Sequence, residues 1–261
     1  MVILLEIKKG DYVTRKSYNH DIVFKVINIV GNICYLKGAE VRLYADSDYL
    51  DLVVCEKPVT EEIDEFVRGI VKSDDDYFYL PGKILHLDSD GEFLEKCLKF
   101  YKHNGVYAIG KKIKEEDIAE QITILLKEYK PDIVIITGHD AYLKKQGNIN
   151  DINNYKNTKN FIKAVKKARN YEKSHEKLVI IAGACQSNYE ELIKSGANYA
   201  SSPKRVNIHA LDPAIIASTV ALTERNKEID LKSMLDKTRY GKDGMGGIMG
   251  NGLMYVGYPR Q

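Results

Sequence analysis

From Lys83 onward, short apolar blocks alternate with stretches of helical period. Lys83–Leu87 is predicted as a strand, followed by a helix over Gly91–His103 with Phe93, Leu94, Cys97, Leu98 and Tyr101 on one face. A second strand, Val106–Ile109, is predicted to stop at Gly110. A helix over Glu115–Tyr129 places Ile118, Ile122, Leu125 and Leu126 inward and stops before Pro131. The pattern repeats with strand Ile133–Ile136, helix Thr158–Ser174, strand Leu178–Ile181 and helix Asn188–Ser195, closed by Gly196. An extended segment within Tyr199–Ile208 and a helix over Asp212–Leu222 complete the series, with Asp212 as N-cap and Pro213 in the first turn. Apolar blocks that do not alternate with polar positions suit strands covered on both faces. The expected fold is therefore α/β, a parallel sheet with helices on both faces.

The first part of the chain reads differently. Residues 1–56 are predicted as a small β-barrel domain of SH3-like size. Its strands are Tyr12–Arg15, Ile22–Val30, Ile33–Leu36, Ala39–Tyr44 and Leu50–Val54, with Gly31-Asn32 as a tight hairpin loop. His20 is expected as an exposed turn residue. Residues 57–82 read as a charged connector holding Pro58, a short helix near Glu61–Val71, a solvated run Asp74-Asp75-Asp76, and Pro81-Gly82. Residues 83–261 form the α/β domain. Its glycine-rich end, Arg239–Gly257, lacks the flanking strand and helix of a phosphate-binding loop and is expected to be a flexible or hairpin-like tail.

Charge adds little, because 39 Lys and Arg face 37 Asp and Glu. Lys8, Lys9, Arg15, Lys16 and Lys25 make a basic edge that reads as a solvated face, so no nucleic-acid partner is expected. With 261 residues, 44% of them hydrophobic, the chain can bury a sizeable core. No apolar run reaches the roughly 18 residues of a membrane helix, and MVILLEIKKGD has no basic n-region, so a cytoplasmic protein without membrane contact is expected. Cys34, Cys55, Cys97 and Cys185 form no CxxC pair, so neither disulfides nor a metal site are expected, and no cofactor.

Two strand ends carry candidate chemistry. DIVIITGHD ends in Gly138 and His139, and KLVIIAGACQS ends in Gly183, Ala184 and Cys185. Neighbouring parallel strands lie about 4.8 Å apart, so these tips can bring an imidazole beside a thiol. A thiol is a weak nucleophile at neutral pH until a base takes its proton. The oxyanion formed on acyl attack needs backbone N–H donors. Those of Cys185 and of Gly138 or Asp140 are the natural candidates. Taken singly, a cysteine at a strand end is ordinarily a small core residue; the pairing with His139 points to a dyad. His209, with Asp212 close behind it, is a rival base. GACQS is one residue away from a G-x-C-x-G elbow, the arrangement of an amidase in which the base follows the nucleophile.

An apolar block ending in His, then one ending in Ala-Cys, resembles the caspase–gingipain–clostripain clan of cysteine peptidases. In caspases the His lies about 50 residues before the Cys; here the two are at 139 and 185. Over nearly its whole length the chain resembles the YabG family of sporulation-specific cysteine proteases. The similarity is carried by GDYVTRKSYNHDIVFKV, GKILHLDSD, DIVIITGHDAY, IAGACQSNYEELIKSGANYASSPKRVNIHALDPA and the glycine-rich end. The resemblance implies a caspase-like α/β domain and an endopeptidase that trims spore-coat and related assembly proteins, with preference for Arg at the cleaved position. Carried over by position, it makes Cys185 the nucleophile and His139 the general base.

Two positions depart from the clan. Gly138 precedes His139 where Gly usually follows it, and Gly183 stands where some Arg-specific relatives keep an acid. A carboxylate for the Arg guanidinium must then come from elsewhere: Asp88 first, then Asp90, with Asp212 and Asp140 at the same edge. A scaffold without catalysis, built from the same two domains, is the non-enzymatic alternative. The small β domain is expected to be a docking module.

Overall fold

The computed structural model describes residues 7–58, 77–143 and 147–258. The chain divides into two units, Met1–Glu62 and Ile63–Gln261. The predicted helix at Glu61–Val71 and the run Asp74–Asp76 lie outside the described residues.

In the first unit, period-two alternation sends Val13, Phe24, Val26, Cys34, Leu36 and Leu52 to one small core. The strands are β1 (Tyr12–Arg15), β2 (Phe24–Val30), β3 (Ile33–Gly38), β4 (Tyr44–Asp48) and β5 (Leu52–Cys55). They form one antiparallel sheet in the order β4-β3-β2-β1-β5. Val30 pairs with Ile33 across the predicted two-residue loop, where Gly31 takes a left-handed φ of +58°. The fourth strand starts later than predicted. The Gly38 N–H donates to the Leu43 carbonyl and the Ala39 N–H to that of Val23, which folds 39–43 into a connection around the buried Arg42. His20 is exposed, with its Nδ1 2.7 Å from Thr14 Oγ1.

The second unit opens with β6 (Phe78–Leu80), followed by β7 (Ile84–Asp88), α1 (Gly91–His103), β8 (Ala108–Lys112), α2 (Glu115–Tyr129), β9 (Ile133–Thr137), α3 (Thr158–Tyr171) and β10 (Val179–Ala182). Then come α4 (Tyr189–Lys194), β11 (Tyr199–Ser201), α5 (Asp212–Leu222), α6 (Leu231–Leu235), α7 (Gly241–Gly244), β12 (Met245–Gly247) and β13 (Tyr255–Gly257). The sheet order is β12-β11-β10-β9-β7-β8, parallel except for β12. Side chains alternate between two cores. Ile133, Ile135, Val179 and Ile181 pack with α1 and α5. Val134, Ile136, Ile180 and Ala182 pack with α2 and α3. After β7 the chain visits β8 on one side and returns to β9 on the other. The carboxyl ends of strands at such a switch are where open α/β sheets keep their sites.

Three expectations change. β8 runs through Gly110 instead of stopping there. A Cβ at Gly110 would lie 2.7 Å from Leu98 Cδ1, so the glycine serves the close approach of α1. Asp212 is the first helical residue of α5 rather than its N-cap, and its Oδ2 accepts the His209 N–H. The glycine-rich end is built into two sheets: β12 pairs with β11, and β13 pairs with β6. Its glycines make room for aromatic rings, since a Cβ at Gly247 would lie 2.2 Å from Tyr199 Cδ1 and one at Gly257 1.9 Å from Phe78 Cζ.

Candidate active site

The two strand ends are matched in register. β9 and β10 pair Ile136 with Ala182, and the Gly183 N–H extends the ladder to the Ile136 carbonyl at 3.0 Å. His139 and Cys185 each follow their paired residue by the same three positions. Beyond the ladder the two chains diverge into turns. Gly183 takes φ +108°, a conformation that an L side chain rarely adopts.

Cys185 is wholly buried in the core that holds α1 and α5. The Ile208 N–H donates to its sulfur at 3.3 Å. The sulfur in turn lies 3.8 Å from the Ile208 carbonyl, as a donor to it. Ala184, beside it, is held at both ends: its N–H donates to Ser187 Oγ at 3.0 Å and its carbonyl accepts from Ser201 Oγ at 2.7 Å.

His139 is fixed by three neighbours. Its N–H donates to Glu115 Oε1 at 2.8 Å, its carbonyl accepts from Asn157 Nδ2 at 2.8 Å, and its ring packs against Phe93 with centroids 6.2 Å apart. Nε2 lies 3.2 Å from Asp90 Oδ2. Of the predicted oxyanion donors near this residue, Gly138 and Asp140 flank an N–H already spent on Glu115. A Cβ at Gly138 would lie 2.6 Å from Glu115 Oε1 and 2.7 Å from Ser89 Oγ, so any larger residue there has to push these two side chains aside.

Asp140 ties the two turns together. Its Oδ1 accepts the N–H groups of Ala141 at 2.9 Å and Asn157 at 2.7 Å. Its Oδ2 accepts from Ser187 Oγ at 2.8 Å and from the Thr158 hydroxyl. Burial pushes this carboxyl up from its ordinary range, against the pull of the four donors.

The expected Arg-binding carboxylates are engaged from within. Asp88 is fully buried, with Oδ2 accepting from Thr137 Oγ1 at 2.8 Å and Oδ1 from the Asp90 N–H at 2.8 Å. Asp90 caps α1 through Oδ1, which accepts the N–H groups of Glu92 and Phe93, and it is 4% exposed. Asp212, also fully buried, accepts the His209 and Arg239 N–H groups. His209, the rival base, is half-buried next to Ile208, and its Nδ1 accepts the Leu211 N–H at 3.3 Å.

Sequence reasoning missed Gln186. At φ +58° it donates its N–H to Ser202 Oγ at 2.9 Å, and its Oε1 accepts the Tyr142 N–H at 3.2 Å. It also missed Glu115, whose grip on His139 spans elements far apart in the chain. Among the described residues no group of three or more His, Cys, Asp or Glu side chains is arranged to hold a metal ion, and no helix is long and apolar enough to cross a membrane.

The family model described as YabG peptidase U57 matches residues 8–69 and 58–259. The chain is similar to the sporulation-specific protease YabG of Bacillus subtilis (strain 168). The two are 40% identical over 286 aligned positions, covering 98% of this chain and 99% of that protein.

Proposed function

The chain belongs to the YabG peptidase family, and from that premise we propose that it is a cysteine endopeptidase of spore formation, with Cys185 as nucleophile and His139 as general base. Its proposed targets are spore-coat and related assembly proteins, cleaved after Arg, in the mother cell of a sporulating bacterium. The observation that carries the catalytic part is the shared register of the two residues on β9 and β10. The name of the relative, a sporulation-specific protease, supports the setting. The Arg preference rests on the family resemblance.

In this mechanism His139 takes the thiol proton and the sulfur attacks the scissile carbonyl carbon. The carbonyl electron pair moves to oxygen, where backbone N–H groups at Cys185 and at Gly138 or Asp140 receive it. Collapse breaks the C–N bond, the proton passes from His139 to the leaving amine, and a thioester remains. Water, deprotonated by the same imidazole, then attacks the thioester, and collapse expels the thiolate and releases the acid.

The parallel sheet covered on both faces supports a caspase-like reading of the second unit. The five-stranded order, with a 3₁₀ turn at Tyr49–Asp51 before β5, supports an SH3-like barrel acting as a docking module in the first. The test is separate purification of Cys185→Ala, His139→Ala and His209→Ala. Cleavage of an Arg-containing protein is expected to vanish in the first two and persist in the third. A dead His209→Ala beside an active His139→Ala transfers the base to the elbow-type amidase reading, and an unreactive Cys185 toward an Arg-bearing acylator favours the scaffold.

A further inference from the structure

We infer that Asp90 is a positioning residue that holds the His139 ring in one tautomer, rather than an acid that receives substrate arginine. The inference rests on the Cys185–His139 reading. The Asp90 carboxylate is almost wholly buried, and its two oxygens have different tasks. Oδ1 caps α1 through the N–H groups of Glu92 at 2.9 Å and Phe93 at 3.2 Å. Oδ2 faces His139 Nε2 at 3.2 Å. An ionised carboxylate only accepts, so Nε2 carries the ring proton and Nδ1 keeps its lone pair. Nδ1 is then the atom that takes the thiol proton.

The support behind Asp90 is rigid. Its own N–H donates to Asp88 Oδ1 at 2.8 Å, and Asp88 Oδ2 accepts from Thr137 Oγ1 at 2.8 Å. Thr137 closes β9, the strand that delivers His139. The carboxylate and the ring it orients are therefore anchored to the same pair of strand ends, β7 and β9. Phe93, one of the two residues capped by Asp90, packs against the ring itself.

The test is Asp90→Asn. Asparagine is as good an N-cap as aspartate, so α1 and the fold are retained. With its carbonyl kept on the cap, the amide presents N–H donors to Nε2, and the ring proton moves to Nδ1. In a Ser–His–Asp triad the same exchange lowers kcat by about 10⁴. A thiol is the stronger nucleophile, so a loss in kcat on the order of 100-fold is expected here, with KM for an Arg peptide changed less than about twofold. Long-range ¹H–¹⁵N spectra, recorded in the Cys185→Ala background, should show His139 protonated on Nε2 while Asp90 is present and on Nδ1 once Asp90→Asn is added. Wild-type kcat with an unchanged tautomer in Asp90→Asn overturns the inference. So does a raised KM for Arg peptides with kcat and tautomer unchanged, which returns Asp90 to the substrate pocket. Either result beside inactive Cys185→Ala and His139→Ala leaves the dyad standing, whereas activity in either of those variants refutes the dyad itself.

Discussion

Replacing Gly183 with alanine strikes the turn that presents Cys185. The backbone there has φ +108°, where an L-residue is strained by about 1–3 kcal/mol. The new Cβ would lie 2.3 Å from Ser201 Oγ and 2.8 Å from Leu192 Cδ1. Overpacking of this kind costs about 1–3 kcal/mol. Together the two effects destabilise by about 2–6 kcal/mol, which for a chain of this size lowers Tm by roughly 5–20 °C. The site suffers as well, because Ser201 Oγ holds the Ala184 carbonyl and cannot keep both that bond and the new methyl. A shift of about 1 Å at a reacting atom costs on the order of 10²-fold in rate. Scanning calorimetry and cleavage of an Arg peptide measure the two effects. Adding Ser201→Ala removes the closest contact, and a double-mutant cycle should show a favourable coupling of about 1 kcal/mol. A Gly183→Ala protein that melts within about 2 °C of wild type and cleaves at full rate refutes the reasoning. The same crowding, with the positive φ, makes this a costly place for the acid that some relatives keep.

Burial sets two pH dependences. The folded state holds the Asp140 proton more tightly than the unfolded chain, since burial raises its carboxyl; its contribution to stability is therefore fullest below the unfolded value near ~4 and is lost as pH rises through the folded value. The unfolding free energy of wild type minus that of Asp140→Asn should fall across that window in urea titrations, and a flat difference rejects the assignment. Burial also pushes the Tyr199 phenol up to about 12. A wild-type minus Tyr199→Phe ultraviolet titration should show no phenolate signal at pH ~10, where a free phenol is half ionised, and a normal midpoint would mean that the ring is solvated.

The legible parts of this fold are those set by local pattern. α1 and α2 carry long apolar stripes, and both occupy the residues their periodicity predicts, Gly91–His103 and Glu115–Tyr129. The doubly covered strands β9 and β10 are legible because nothing polar interrupts their apolar runs. What local pattern misreads is glycine. Gly110, Gly247 and Gly257 read as breaks, yet each lies within a strand that passes close to a side chain of another element. β6 has three residues and pairs with a strand at the far end of the chain, so no local signal announces it. In the site, the positions of His139 and Cys185 follow from strand pattern, but the duty of Asp90 does not. An Asp before a helix reads as a cap, and only the return of β9 beside β7 brings an imidazole to its second oxygen.

The turns around the thiol brace one another across sequence. Asp140 belongs to the His139 turn but holds Ser187 of the Cys185 turn. Gln186 belongs to the Cys185 turn but reaches Tyr142 of the first and Ser202 of a third. That third segment returns the Ile208 N–H to the sulfur. Three non-glycine residues in these turns, Gln186, Ser202 and Arg205, hold left-handed φ values of +58°, +63° and +54°. Each such conformation is costly and persists only where its surroundings fix it. Arg205 shows how: its Nε donates to Tyr155 Oη at 2.7 Å, and its guanidinium pairs with Glu190 on α4. The same segment meets the fully buried Cys185 twice, since Ile208 offers the sulfur both its N–H and its carbonyl, so the sulfur, like the turns, is held by a residue distant in sequence.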